Sequence, residues 1–312
     1  MTALDRLAAE GSIMAGVDLA GLTTYKFGGP ARWFADVPSV PELLAVVGAW
    51  RNDGCPPVLV VGRGSNLVVS DAGFDGLVIR LSGSFAEIDI APDGIVSAGA
   101  AVPLPRLART TVKAGRGGLE WFVGIPGSVG GAVCMNAGGH GSDTREWIVD
   151  AEILAWSTGE VTTWERDDLD LSYRHSAVSG DDVVLSARFR TVDRSTADGE
   201  RILREITQWR REHQPGGTFN AGSVFKNPAG DAAGRIIDSL GLKGLRIGGA
   251  AVSRRHANFF EAAEGASAQD VYDLVMTIQR RVRDETGIEL IPEVRFAGPF
   301  ESAPSQQRRS EA

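Results

Sequence analysis

Three short segments, far apart in the chain, hold the side chains best suited to chemistry. Ser172-Tyr173-Arg174-His175-Ser176 carries an arginine, whose planar guanidinium can grip a carboxylate with two parallel hydrogen bonds. Asn220-Ala221-Gly222-Ser223-Val224-Phe225-Lys226-Asn227-Pro228 carries a serine hydroxyl able to donate a proton. No G-x-S-x-G elbow surrounds Ser223, so it does not read as a hydrolase nucleophile. Ile291-Pro292-Glu293-Val294-Arg295-Phe296 carries a carboxyl group. Alternation puts Ile288, Leu290, Val294 and Phe296 on one face and Glu293 with Arg295 on the other. Taken singly, each segment has a plainer reading: a solvated arginine, a turn hydroxyl, and an exposed ion pair on an edge strand, which Pro292 favours.

Glycine is the outlier of the composition, with 39 residues clustered at 62–64, 115–141 and 241–249. Clustered glycine marks backbone that turns tightly or approaches a ligand closely. Val58 to Val61 reads as a short buried strand running into Gly62-Arg63-Gly64-Ser65-Asn66. As a G-x-G-x-x-G fingerprint this fails, because Leu67 holds the third position and no acidic ribose partner follows. No G-x-x-x-x-G-K-[ST] phosphate loop exists either. The loop is either a tight strand-to-strand turn or a nest of backbone N–H groups around a pyrophosphate. A second run, Gly118 to Ala132 continuing to Asn136-Ala137-Gly138-Gly139, has only Glu120 and Ser128 as polar side chains before Asn136. It suits a backbone wall against a flat, extended ligand.

The elements that must position these residues follow from periodicity. Ser39 and Glu42 have capping-box spacing ahead of a helix whose apolar face is Leu43, Leu44, Val46, Val47 and Trp50. A second helix is predicted from Pro103 to about Lys113. Residues 68–69, 77–81, 147–156, 161–164 and 183–192 have strand character. The polar stretch Arg194 to Gly199 is the expected domain boundary. Beyond it come a charged helix through Ile202, Ile206 and Trp209, and a short helix from Asp231 to Leu240. The clearest helix runs from about Ser267 to Asp284, with Val271, Leu274, Val275, Ile278 and Val282 in register. A strand from Ile288 to Phe296 follows, and then a polar tail, 299–312, expected to be disordered.

A length of 312 residues suggests about two domains. The net charge of −8 argues against a nucleic-acid binder, which needs a basic face. Cys55 and Cys134 are widely separated and form no C-x-x-C pair, as expected of a reduced cytoplasmic chain. Asp5, Arg6 and Glu10 occupy the place of a signal peptide's apolar core, and no run nears the ~20 apolar residues that span a bilayer. His175 and His256 lack metal-ligand spacing, so no metal is expected.

Read together and in order, these motifs resemble those of the UDP-N-acetylenolpyruvoylglucosamine reductases (UDP-N-acetylmuramate dehydrogenases). Thr23-Thr24-Tyr25-Lys26-Phe27-Gly28-Gly29-Pro30-Ala31 resembles that family's entry motif, and the second glycine run its flavin segment. The resemblance implies an α+β architecture with a vanillyl-alcohol-oxidase-like (PCMH-type) FAD-binding domain, residues 1–195, in subdomains of about 1–82 and 83–195. A smaller α+β substrate-binding domain, 200–298, would follow. It implies non-covalent FAD held by Gly62, Arg63, Gly64, Ser65, Asn66, Gly124, Pro126, Gly127, Ser128, Gly130, Gly131, Ala132, Asn136 and Val184. Arg174, Ser223 and Glu293 would be catalytic, and Arg174, Lys226, Asn227 and Asn258 would bind substrate.

The implied reaction reduces an enolpyruvyl ether on UDP-N-acetylglucosamine, with NADPH as hydride donor and flavin N5 as the relay to the vinyl carbon. Arg174 would hold the carboxylate, Glu293 would stabilise an enolate-like intermediate and Ser223 would supply the proton. Two departures stand out. The interval from Arg174 to Ser223 is too short for the extra tyrosine segment of some members, so the chain resembles the shorter subtype. His213-Gln214-Pro215 replaces an expected Lys-Gln-Pro, leaving one diphosphate ligand open. A monomer is expected. Two other readings remain: a flavin oxidase on the same fold, with His140 as a covalent anchor, and a non-catalytic nucleotide-sugar binding protein.

Overall fold

The computed structural model describes residues 1–217 and 219–301. Alternating apolar residues along Pro30–Val37 and Phe74–Leu81 bury both faces of the sheet these strands form. Its order is Met14–Asp18, Pro30–Val37, Phe74–Leu81, Val58–Val60, with the first pair antiparallel and the others parallel. Trp33, Ala35, Val37, Leu77, Ile79 and Leu81 enter one core, whereas Phe34 and Val78 enter another. A five-stranded antiparallel sheet is ordered Val161–Glu165, Ile148–Ala155, Asp182–Phe189, Val96–Gly99, Ile88–Ile90. Its Val96, Ala98, Ile153, Leu185 and Phe189 join the same core as Trp33. The two halves of the amino-terminal region therefore share one hydrophobic interior.

The helix Val40–Asn52 forms as expected, but the Ser39 hydroxyl makes no capping bond. Pro41 in the first turn has already removed one of the amides such a cap would satisfy. The helix Thr196–His213 packs Ile202, Leu203 and Ile206 onto the first core. The chain thus leaves that core after His213, not at residues 194–199 as expected. That stretch is polar because it starts the helix: Ser195 accepts the amide of Asp198.

The carboxyl-terminal unit builds its own core from Val224, Phe225, Ile237, Phe260, Leu274 and Ile278. Its helix Ala268–Thr286 opens with a Ser267–Asp270 capping box and stops at Gly287, whose φ is 73°. A three-stranded sheet, Arg246–Ile247, Ala250–Val252 and Phe260–Ala262, packs on it. Tyr25 reaches across from the entry motif into this core, its hydroxyl donating to Phe260 O at 3.0 Å.

The last strand is Arg295–Ala297, shorter than the expected 288–296. It pairs in parallel with Leu67–Val69, just after the first glycine loop. Leu290 and Val294 are buried as alternation requires, but Pro292 forms only an isolated bridge with Phe225. Residues 299 and 300, expected in a disordered tail, are held in place: Ser70 Oγ donates to Pro299 O, and Phe300 stacks on Tyr272. Residues 302–312 lie outside the described residues. Among the described residues no helix is long and apolar enough to cross a membrane, and no acidic, His or Cys cluster could hold a metal ion.

Candidate active site

The first glycine loop leaves the carboxyl end of the parallel strand Val58–Val60, where α/β sheets commonly bind ligands. Gly64 is left-handed, φ 59°, and a Cβ there would lie 2.0 Å from Leu22 O, so only glycine fits. Among the described residues, the backbone N–H groups of Gly62 to Asn66 find no acceptor in the chain. Five consecutive amides without a partner among the described residues are available to an anion, as in a backbone nest. The second loop lies against the first, since a Cβ on Gly62 would meet Ser128 Oγ at 2.4 Å. Together they wall a cleft of about 900 Å³.

The three chemical segments converge on this cleft: Arg174, Ser223 and Glu293 all line it. Arg174 lies on a tight turn in which Ser172 and His175 exchange both backbone hydrogen bonds, at 3.2 and 3.1 Å. Its own φ is 55°. Arg174 Nε donates to Glu293 Oε1 at 2.6 Å, with the two side chains only 19% and 14% exposed, and Nη2 donates to Gly138 O at 3.2 Å. Glu293 is placed by the pairing of the last strand. Its carbonyl accepts Asn66 Nδ2 at 3.0 Å, and its amide donates to Val224 O at 2.7 Å. Burial raises the Glu293 pKa, against the lowering fields of Arg174 and Lys226. Ser223 bridges Phe259 through its backbone, leaving its hydroxyl without a partner among the described residues.

Of the expected cofactor contacts, Gly62, Arg63, Gly64, Ser65, Asn66, Gly124, Pro126, Gly127, Ser128, Gly130, Gly131, Ala132 and Val184 line the cleft. Asn136 does not. It is 2% exposed, its Nδ2 donates to Ser172 O and its Oδ1 accepts the Arg145 amide, both at 2.9 Å. Three expected substrate ligands also stand away from the cleft wall. The Asn258 amide is buried and bonds both Phe225 N and Phe225 O, as a neighbouring strand would. Asn227 Oδ1 caps the helix Ala233–Ser239 through the Ala233 amide, and Lys226 Nζ donates to Arg174 O at 3.2 Å.

Sequence reasoning missed Arg210 as a cleft residue, although it lies only a short way before Pro215. Trp209 and Arg210 line the cleft at the end of the helix Thr196–His213, and burial depresses the Arg210 pKa. His213, in place of the expected lysine, stacks on Trp209 at 4.7 Å. His140 meets Trp209 edge-on at 5.2 Å, and burial followed by the Arg210 charge lowers its pKa.

Comparison with known proteins gives this geometry a family. Residues 214–297 match the family described as UDP-N-acetylenolpyruvoylglucosamine reductase, C-terminal domain, and residues 34–165 match the FAD binding domain family. The UDP-N-acetylenolpyruvoylglucosamine reductase of Synechococcus sp. (strain RCC307) is 44% identical over 301 residues, 94% of this chain and 97% of that one. The chain belongs to the UDP-N-acetylenolpyruvoylglucosamine reductase family.

The Legionella pneumophila (strain Corby) reductase is 35% identical over 93% of this chain and 94% of its own. The crystal structure of the Thermus caldophilus reductase superposes with a TM-score of 0.79 at 36% identity, covering 90% of this chain and 98% of that one. This reductase is therefore an FAD-binding oxidoreductase of peptidoglycan synthesis, built on the PCMH-type fold with a carboxyl-terminal domain. Its residues fit the flavin. The nest of amides at Gly62–Asn66 suits a pyrophosphate, and a Cβ on Gly131 would meet only Ser128 Oγ, at 3.7 Å, so the second loop presents bare backbone.

Proposed function

We propose that this chain reduces UDP-N-acetylglucosamine enolpyruvate to UDP-N-acetylmuramate in the cytoplasm, with NADPH as electron source. One observation carries the reading: Arg174, Glu293 and Ser223 meet in a cleft walled by both glycine loops. The two glycine loops would hold FAD, whose chemistry there would be the relay of hydride from NADPH to the vinyl carbon of the substrate. Hydride arrival builds negative charge on the adjacent carbon and its carboxylate. Arg174 is positioned to hold that carboxylate: Glu293 fixes its Nε, while Nη1 and the second hydrogen of Nη2 face no protein acceptor among the described residues. Glu293, its pKa raised by burial, supplies a hydrogen bond that strengthens as the charge develops. The uncommitted Ser223 hydroxyl then gives its proton to the carbanionic carbon. All three residues come from one chain, so a monomer would carry a complete site.

The test uses the purified protein without oxygen. It should be yellow, release its flavin on denaturation, and bleach with NADPH. Addition of UDP-N-acetylglucosamine enolpyruvate should restore the colour and yield a product heavier by two hydrogens. Flavin that stays with the denatured chain, or that is reoxidised by O₂ but not by the enolpyruvyl ether, would point to an oxidase and overturn the proposal.

A further inference from the structure

We propose that Asn136 is a positioning residue for Arg174, holding the arginine turn in register with the second glycine loop. The inference deepens the reading above, in which Arg174 grips the substrate carboxylate. Arg174 has a left-handed backbone, φ 55°, which a residue with a Cβ adopts only when its surroundings impose it. Three alternate positions of the loop impose it here. Cys134 O accepts Ser176 Oγ at 2.8 Å, Asn136 Nδ2 donates to Ser172 O at 2.9 Å, and Gly138 O accepts Arg174 Nη2 at 3.2 Å. Two of these contacts use loop carbonyls, which no substitution removes. Asn136 alone contributes a loop side chain to this set.

That side chain cannot serve the flavin directly. It is 2% exposed and stands behind the cleft wall, with Arg145 N on Oδ1 and Asp143 Oδ2 3.4 Å from Nδ2. Its own φ of 37° suits asparagine better than most residues. The amide therefore joins two things that must keep one spacing: the backbone wall of the cofactor site, and the guanidinium that meets the substrate.

Asn136→Asp removes the Nδ2 donor. The aspartate keeps the acceptor for Arg145 N and the left-handed backbone, but turns a second oxygen toward Ser172 O and Asp143. Asn136→Ala, which removes the contacts to Ser172 O, Asp143 Oδ2 and Arg145 N without adding a charge, serves as a second variant. We expect wild-type flavin content and wild-type bleaching by NADPH, with reoxidation by the enolpyruvyl ether slowed on the order of 10- to 100-fold, as for a small misplacement of a binding group. In an Arg174→Ala background the same change should add little, because the two residues act as a unit. A crystal structure of the Asn136→Asp protein should show Arg174 withdrawn from Glu293 while the loop 124–132 keeps its path. Reoxidation at the wild-type rate, full additivity with Arg174→Ala, or an Arg174–Glu293 contact retained at its native distance would overturn the assignment. If the wild type itself is not reoxidised by the enolpyruvyl ether, the functional reading fails, while the crystal structure still decides Asn136.

Discussion

Glu293 is held between opposing influences. Burial favours its neutral form, while Arg174 at 2.6 Å and the more distant Lys226 favour its anion, and burial prevails. A raised folded pKa means that, above the carboxyl group's ordinary 4.5, the folded protein keeps a proton that the unfolded chain has already released. Stability attributable to this group is therefore full below that pH and falls as pH rises toward the folded value. Glu293→Gln removes the titration. Across a series of thermal scans, the Tm of the variant relative to wild type should climb as pH rises from 4.5 and then level off. A difference that stays flat with pH, or falls, would show that burial does not prevail over the nearby cations. Among the described residues the Ser223 hydroxyl has no hydrogen-bond partner, so under the proposed mechanism it would give up none before donating.

At the scale of elements, the first glycine loop keeps its path because Gly64 lacks a side chain where its backbone meets that of Leu22. Gly64→Ala places a Cβ 2.0 Å from Leu22 O in a left-handed residue and should break the nest. The protein should fold but purify with little flavin. Gly141→Ala, at φ 82° with nothing within 4 Å, carries the conformational strain without the clash and should keep its flavin. Equal flavin content in the two variants would remove the first loop from cofactor binding.

What the sequence disclosed about these elements followed a physical rule. Periodicity is local, so the helix Ala268–Thr286 and the strands Phe74–Leu81 and Asp182–Phe189 were visible in it. Partner choice is not local. Ser39 looks like a cap but makes no capping bond, and the polar stretch at 194–199 looked like a linker but starts a helix. Asn136 and Asn258 sit in motifs that suggest ligand contact, yet their amides bond backbone far along the chain, at Ser172 and Phe225. The pairing of Arg295–Ala297 with Leu67–Val69 spans most of the chain and leaves no trace in composition or spacing.

At the scale of the whole molecule, that long-range pairing is what assembles the site. It returns the chain from the carboxyl-terminal core to the edge of the first glycine loop, so Asn66 bonds the Glu293 carbonyl and Arg295 N donates back to Asn66 O at 3.0 Å. The same unit presents Ser223 from the other side, while Tyr25 is anchored in its core. Differently packed parts of the chain thus meet at one cleft: the glycine loops and Arg174 come from the amino-terminal region, Ser223 and Glu293 from the carboxyl-terminal unit. Under the proposed mechanism, the half-reactions can be separated by a single atom. In Ser223→Ala, stopped-flow absorbance should show NADPH bleaching the flavin at close to the wild-type rate. Reoxidation by the enolpyruvyl ether should slow by ~10²–10⁴-fold, the usual worth of a general acid. Ser223→Cys should recover part of that loss. Equal slowing of both steps, or normal reoxidation in the alanine variant, would contradict it.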